Sequence, residues 1–408
     1  MDRADSLAAD EADPLAPLRD RFTIPPGVVY LNGNSLGTLQ PAVAARIREV
    51  VEGEWGHGLI RGWNDAGWVE LPGRITARLA PLVGAGPDEL AVTDSTSANL
   101  FKVLAVARSL RRDRRVLLTD DTNFPTDVYV ARGLAELTGD LDVEVVASGA
   151  VIDRLGPDVA AVVLTHVDYR TGRMQDAPTI TAAAHAAGAL AIWDLSHSAG
   201  AIEVDLTGWG ADLAVGCTYK YLNGGPGSPA YLYVARRWHD TAGTPIQGWF
   251  GHARPFTFSP DYVPADGAAR FMDGTPPVLS TAALATALEV WDGVDMAAVG
   301  AKARALTDRF LALVDARCGS DVEVLSPRDP CERGAHVALR HPEAYALVQA
   351  LIARGVIGDH RPPDLLRFGF APLYVSHTDV WETVDHLADL LATGAWDRPE
   401  YRAMRTVI

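Results

Sequence analysis

The sequence predicts an α/β protein: a large domain built on a doubly wound, mostly parallel sheet, with a smaller α+β domain beside it. Three observations carry that expectation. Short apolar runs rich in Val, Leu and Ile recur through residues 85–240. They lack strict alternation, as in strands buried on both faces. Helical stretches separate them, and repeated strand–helix–strand units imply parallel pairing.

The elements follow in order. LAV at 90–92 is a short apolar run before a helix at 100–110. VLLT at 116–119 ends at Asp120 and Asp121, and VEVVA at 143–147 is the next strand. AAVVLT at 160–165 ends at His166. TITAAAHAA at 179–187 reads as a helix with Gly188 as its C-cap. LAIW at 190–193 ends at Asp194, LAVGC at 213–217 runs toward Lys220, and YLYV at 231–234 closes the series. Beyond residue 285 the pattern changes. Helices are expected at 280–290, 296–317, 344–354 and 380–391, with short strands at 322–325, 336–339 and 365–370. The expected division is therefore a large α/β domain at 61–285 and a small α+β domain at 286–408. An N-terminal segment, 1–60, packs with the small domain.

Composition bounds the function. The chain has 408 residues, 48% hydrophobic and 22% charged, enough to bury a large core without staples. Lys plus Arg is 36 and Asp plus Glu is 52, a net charge of −16. So acidic a chain is a poor partner for nucleic acid or an anionic membrane. Cys217, Cys318 and Cys331 are odd in number and form no C-x-x-C, so neither a disulfide framework nor a metal site is expected. That usage, with an acidic start MDRADSLAADEADPL where a signal peptide would be basic, points to the cytoplasm. No apolar run reaches the ~20 residues needed to span a bilayer.

Polar residues gather just after the strand ends: Asp120, His166, Asp194, His197 and Lys220. In open parallel sheets that edge is where ligands bind. Asp194, His197 and Lys220 form the strongest constellation. Lys220 lies 26 residues after Asp194, at the end of the next strand, in GCTYKYLNGGPG. Pyridoxal phosphate (PLP) needs this pair. A lysine amine forms the Schiff base, and a carboxylate keeps the pyridine nitrogen protonated. Alone, the Asp would be a turn cap and the Lys a surface residue. TDSTSAN at 93–99 opens a helix, and hydroxyls with free N–H groups there suit a phosphate as well as an ordinary N-cap.

The chain also resembles the kynureninases, fold-type-I PLP hydrolases of the class V aminotransferase superfamily. The resemblance runs from about residue 30 to 376. Its blocks include YLNGNSLG at 30–37, STSANLFK at 95–102, NFPTDVY at 123–129 and HVDYRTG at 166–172. WDLSHSAGA at 193–201, GWFGH at 248–252, RFMDGTPPVLS at 270–280 and LRFGFAPLY at 366–374 complete it. The last three are the more particular to kynureninases.

The resemblance implies the following roles. Lys220 carries the cofactor, Asp194 pairs with its ring nitrogen, His197 lies beside it, and Tyr219 contacts the phosphate and carries protons. Thr96 and Ser97 hold the phosphate, and Phe124 stacks on the ring. Pro125, Thr126, Asp127 and Thr165 belong to cofactor-binding blocks. Trp249 and Thr275 reach the phosphate from a neighbouring subunit, so a homodimer with shared sites is implied. Arg367 grips the substrate α-carboxylate, with Asn34, Ser35, Trp63 and Thr275 also on the substrate side. The implied reaction hydrolyses L-kynurenine to anthranilate and L-alanine, a step of tryptophan catabolism. Trp63 and Thr275 match the bacterial type, which favours kynurenine over 3-hydroxykynurenine. Two alternatives stay open: a cysteine desulfurase-like lyase, for which Cys331 would be the catalytic thiol, and a catalytically silent PLP-binding protein. His252 is expected to prop the GWFGH loop, and His166 to be structural.

Overall fold

A computed structural model describes residues 2–404. Its strands, in chain order, are β1 (Val29–Tyr30), β2 (Leu90–Val92), β3 (Val116–Asp120), β4 (Asp142–Val146), β5 (Val159–Thr165) and β6 (Leu190–Asp194). They continue with β7 (Leu213–Gly216), β8 (Tyr231–Val234), β9 (Glu323–Val324), β10 (His336–Arg340), β11 (Val356–Ile357), β12 (Asp359–Arg361) and β13 (Leu365–Gly369).

Seven strands form the main sheet in the order β2-β8-β7-β6-β5-β3-β4. Strands β3 to β7 pair in parallel, as the strand–helix rhythm implies. β8 is antiparallel to both β7 and β2. No crossover helix separates β7 from β8; a loop does, and it carries Lys220. Apolar side chains on both faces explain the unbroken hydrophobic runs. Leu117, Val163 and Ile192 meet Leu100, Leu104 and Leu134 from the Thr96–Leu110 and Pro125–Thr138 helices. Leu118, Val162, Leu164 and Trp193 meet Ile180 and Ala184 of the Ala177–Ala186 helix on the other face.

One strand departs from the expectation. β4 is not buried on both faces: none of its five residues is buried. It is the sheet's edge, with only β3 beside it, so its apolar residues report half-burial rather than a central position.

The C-terminal part holds an antiparallel sheet, β12-β13-β10-β9, against the long Met296–Arg317 helix and the His377–Thr393 helix. The N-terminal residues dock there. β1 pairs in parallel with β11. Asp10 accepts from the His377 and Thr378 backbone N–H groups at 2.6 and 3.0 Å. The buried pair Lys302–Asp13 closes at 2.6 Å. The Pro41–Glu49 helix instead lies on the Val278–Ala287 helix. Among the described residues no helix is long and apolar enough to cross a membrane.

Candidate active site

A cavity of about 550 Å³ opens at the carboxyl edge of the parallel strands, in the size range of small-molecule sites. Thr165 ends β5 and Asp194 ends β6, and the two are register partners. Parallel pairing therefore sets both side chains at one edge of the sheet. Lys220 enters from the β7–β8 loop. That loop is held internally: Thr218 Oγ1 lies 2.6 Å from the Pro229 carbonyl, and the Gly224 N–H donates to the Thr218 carbonyl at 2.9 Å. Asp94, Thr96, Ser97, Phe124, Thr126, Asp127, His197 and Tyr219 complete most of the wall.

The charges are arranged around the lysine. Burial, then the Asp194 charge, pushes the Asp127 carboxyl well above the usual carboxylate range. Burial also raises Asp194, while the Ser196 hydrogen bond and the Lys220 charge hold it down. The two carboxyls titrate as a pair, with Asp127 raised the further. Of the two, Asp194 is the more readily ionised, and it lines the cavity. His197 is neutral, because burial and the Lys220 charge both oppose protonation. Its Nε2 lies 3.1 Å from Lys220 Nζ and 3.1 Å from the Asn34 carbonyl, accepting from one or donating to the other. Burial holds the Tyr219 hydroxyl above its usual range, so it remains a proton donor.

A phosphate has a place as well. Ser95 caps the Thr96–Leu110 helix, its Oγ accepting from the Ala98 N–H at 3.3 Å and its carbonyl from the Asn99 N–H at 2.9 Å. The Thr96 and Ser97 N–H groups take no acceptor from the described residues, which leaves donors and the helix dipole facing the cavity. Phe124 is 39% exposed although it lines a cavity wall, an aromatic face left free, with Tyr169 edge-on at 5.1 Å. A primary amine, a buried carboxylate, a free aromatic face and a helix N-terminus fit PLP.

A charged cluster, none of whose residues lines the cavity, meets it through Tyr169, whose carbonyl accepts from Arg367 Nη1. Arg367 holds Asp359 bidentately, Nε to Oδ1 at 2.9 Å and Nη2 to Oδ2 at 2.6 Å. Ser35 Oγ accepts from Arg367 at 3.0 Å and donates to Asp359 at 2.9 Å. The 32–38 segment is tied to the lysine loop, since the Gly37 N–H donates to the Tyr219 carbonyl at 2.8 Å and the Thr38 N–H to Asn223 Oδ1 at 3.2 Å. Asn34 contributes its carbonyl to His197, while its side chain is fully buried.

Some expected residues stand elsewhere. Trp63, Trp249, Thr275 and Pro125 do not line this cavity. Trp63 instead lies 6.5 Å from Trp249 and 6.5 Å from Phe250, in an aromatic cluster with the GWFGH loop. Pro277, two residues after Thr275, does reach the wall. His252 props its loop, Nδ1 accepting from the Arg254 N–H at 2.8 Å. His166 is buried, with Nδ1 2.9 Å from Ser198 Oγ and its ring tilted against Trp209 at 4.8 Å. Cys331 is exposed and lines a different cavity.

Other residues carry more than sequence reasoning assigned them. Asn123 Oδ1 accepts from the Thr165 N–H at 2.9 Å and fixes that strand end; the only signal was its place in the NFPTDVY block. Asp94 holds a left-handed backbone, φ +48°, and binds the buried Lys102 at 2.6 Å. Strain of that kind gathers at functional sites. Asp359 and Arg361 lie on β12, a strand that the sequence reading did not expect.

Comparison with known proteins agrees with this geometry. A family model described as "Kynureninase C-terminal domain" matches residues 299–387. A kynureninase of Burkholderia mallei (strain SAVP1) is 50% identical over 413 aligned residues, covering 99% of both chains. The fold is similar to a C-DES variant with glycine covalently linked to its PLP cofactor, with a TM-score of 0.79 at 19% identity over 92% of this chain and 98% of that one. It is also similar to the apo cysteine desulfurase of Thermococcus onnurineus NA1, with a TM-score of 0.75 at 18% identity and the same coverage.

Proposed function

The chain belongs to the kynureninase family, and from that premise we propose which of its residues carry the reaction and which substrate it prefers. The protein is a PLP-dependent hydrolase that cleaves the Cβ–Cγ bond of kynurenine to give anthranilate and L-alanine. Cysteine desulfurase chemistry is less supported, and Cys331 lies away from Lys220.

The observation that carries the assignment of roles is the Lys220 amine set among Asp194, Asp127 and His197 in one cavity. Bound there, PLP supplies an electron sink for the carbon that loses a proton. Thr96, Ser97 and Tyr219 would hold its phosphate, Phe124 its ring face and Asp194 its ring nitrogen, with Lys220 as the covalent tether. Asp127 serves Asp194, because it takes a proton before Asp194 does and so favours the ionised form there. Lys220 Nζ takes and returns the proton at the substrate α-carbon. Neutral His197, 3.1 Å away, accepts from that amine without competing as a cation. Tyr219, held protonated, would give a proton to Cβ of the fragment that remains and becomes alanine, the carbon that keeps the electron pair of the broken Cβ–Cγ bond. Arg367 and Ser35 stand on the α-carboxylate side.

Trp63 and Thr275 support kynurenine over 3-hydroxykynurenine, because a bulky indole leaves little room and few partners for a ring hydroxyl. Trp63 clusters with Trp249 outside this chain's own cavity. Trp55, Ile60 and Phe258 are 56%, 76% and 73% exposed. These features support a homodimer in which one copy delivers Trp63, Trp249 and Thr275 to the other's site. Three unpaired cysteines support a cytoplasmic setting. We keep 1–60, 61–285 and 286–408 as the domain division.

The test is an anthranilate fluorescence assay on purified, PLP-loaded protein with both substrates in parallel. Lys220→Ala is expected to abolish turnover. Faster release from kynurenine supports the pocket reading, and a higher kcat/KM for 3-hydroxykynurenine would discard it.

A further inference from the structure

Lysine is used in three places in this chain, and every other strong cation is an arginine. Lys220 is the tether, and Lys302 pairs with Asp13. Lys102 is the third. It lies about two turns into the Thr96–Leu110 helix, and its side chain is 0% exposed. Helical side chains lean toward the N-terminus, so its ammonium reaches back to the turn before the Ser95 cap. There Nζ meets Asp94 Oδ2 at 2.6 Å, Asp273 Oδ2 at 2.8 Å and the Phe271 carbonyl at 2.7 Å. Three donors meet three acceptors, so none is left over for a ligand.

Asp94 is the link to the cavity, whose wall it forms together with Thr96 and Ser97. Its left-handed backbone is unfavourable for a residue with a Cβ. The Ala230 N–H donates to its carbonyl at 2.9 Å and Thr93 Oγ1 to its Oδ2 at 2.8 Å, which hold it there. A carboxylate at this point repels a phosphate bound at the helix N-terminus. Asp273 brings a second carboxyl; burial raises it, its Lys102 hydrogen bond opposes the rise, and the Asp94 charge adds to it. Asp273 is fixed in turn to the GWFGH loop. Its carbonyl accepts from the Phe250 N–H at 3.2 Å, and a Cβ on Gly248 would stand 1.9 Å from that oxygen. Thr275 follows two residues later. One buried ammonium therefore joins the phosphate turn to the loop that carries Thr275.

We propose that Lys102 is a positioning residue of the cofactor site, its charge offsetting Asp94 and Asp273 so that the turn before the Thr96–Leu110 helix admits a phosphate dianion. It acts through Asp94 and touches no cofactor atom itself. The inference rests on the reading that places the PLP phosphate at that helix.

The experiment strips the full-length protein of cofactor and titrates it with PLP and with pyridoxal, which has the same ring and aldehyde but no phosphate. Absorbance and tryptophan fluorescence read both affinities, and their ratio isolates the phosphate. Lys102→Met keeps the stem and removes the charge. It is expected to lower the preference for PLP about tenfold or more, the scale of one unit charge acting on a dianion through partly screened protein. Asp94→Asn should raise the preference, and Lys102→Met/Asp94→Asn should return it to within about threefold of wild type. A merely structural strut would weaken both ligands alike and would not be rescued by the second neutralisation. Equal losses on PLP and pyridoxal, an unchanged preference in Lys102→Met, or a lowered one in Asp94→Asn would overturn the proposal. If Lys102→Met does not fold, the double variant is compared with Asp94→Asn, against which it should lose about tenfold in preference; no loss overturns the proposal. A wild-type preference retained by Thr96→Ala/Ser97→Ala would sink the parent reading of the phosphate site instead, so the two failures are distinguishable.

Discussion

At the residue scale, burial sets the behaviour of two histidines. Burial lowers His166 to about 4 and His336 to about 3. Unfolded, each titrates near 6.5. Between those values the unfolded chain binds a proton that the folded chain refuses, so stability is lost as pH falls below about 6.5. His166 alone contributes on the order of 3 kcal/mol of that loss near pH 4. The raised Asp127 and Asp194 act in the opposite sense, gaining protons in the folded state as pH falls. A difference measurement separates them. Urea midpoints of wild type should drop more between pH 6.5 and 5 than those of His166→Asn, whose amide can still reach Ser198. Parallel slopes would mean that His166 is not buried neutral.

At the element scale, two short segments hold the site in register. The first is the turn around Gly37. A Cβ there would stand 2.4 Å from both Asn223 Oδ1 and the Lys220 carbonyl. The carbonyl is that of Lys220 itself and cannot yield without moving that residue. Gly37→Ala is expected to destabilise the protein by about 2 kcal/mol or more and to lower kcat, read by thermal melts and the anthranilate assay. The second is the Thr96–Leu110 helix. Its Ser95 cap fixes the first turn, whose free N–H groups face the cavity. Ser95→Ala should cost about 1 kcal/mol and weaken retention of PLP, measured by dialysis and absorbance. An unchanged cofactor affinity would detach the phosphate from that helix.

At the scale of the whole molecule, the question is whether one chain makes a complete site. The lysine side is assembled within the chain; Trp63 and Trp249 sit together outside its cavity. Subunit mixing tests the shared site directly. Lys220→Ala and Trp249→Ala should each be nearly inactive as homodimers. Co-refolded, they should regain about a quarter of wild-type activity, since half of a random mixture is heterodimer with one intact site. No recovery in verified heterodimers would place Trp249 outside the partner's site.

The sequence by itself determined a good deal. The parallel strand series, the position of Lys220 after β7 and the placing of Asp194 and Thr165 at strand ends were legible. Apolar runs and helical spacing are local properties, and strand ends in a parallel sheet converge by topology. The edge position of β4 was not legible, because a half-buried strand and a central one share the same apolar residues. Nor was the coupling of Asp127 with Asp194, which depends on a helix N-terminus and a strand end far apart in sequence meeting at one cavity. Lys102 carries the same lesson. As one lysine inside a helical run it is silent. Only the folded chain places it between Asp94 and Asp273, and a charge acquires its role from the charges that the tertiary structure brings within a few ångströms of it.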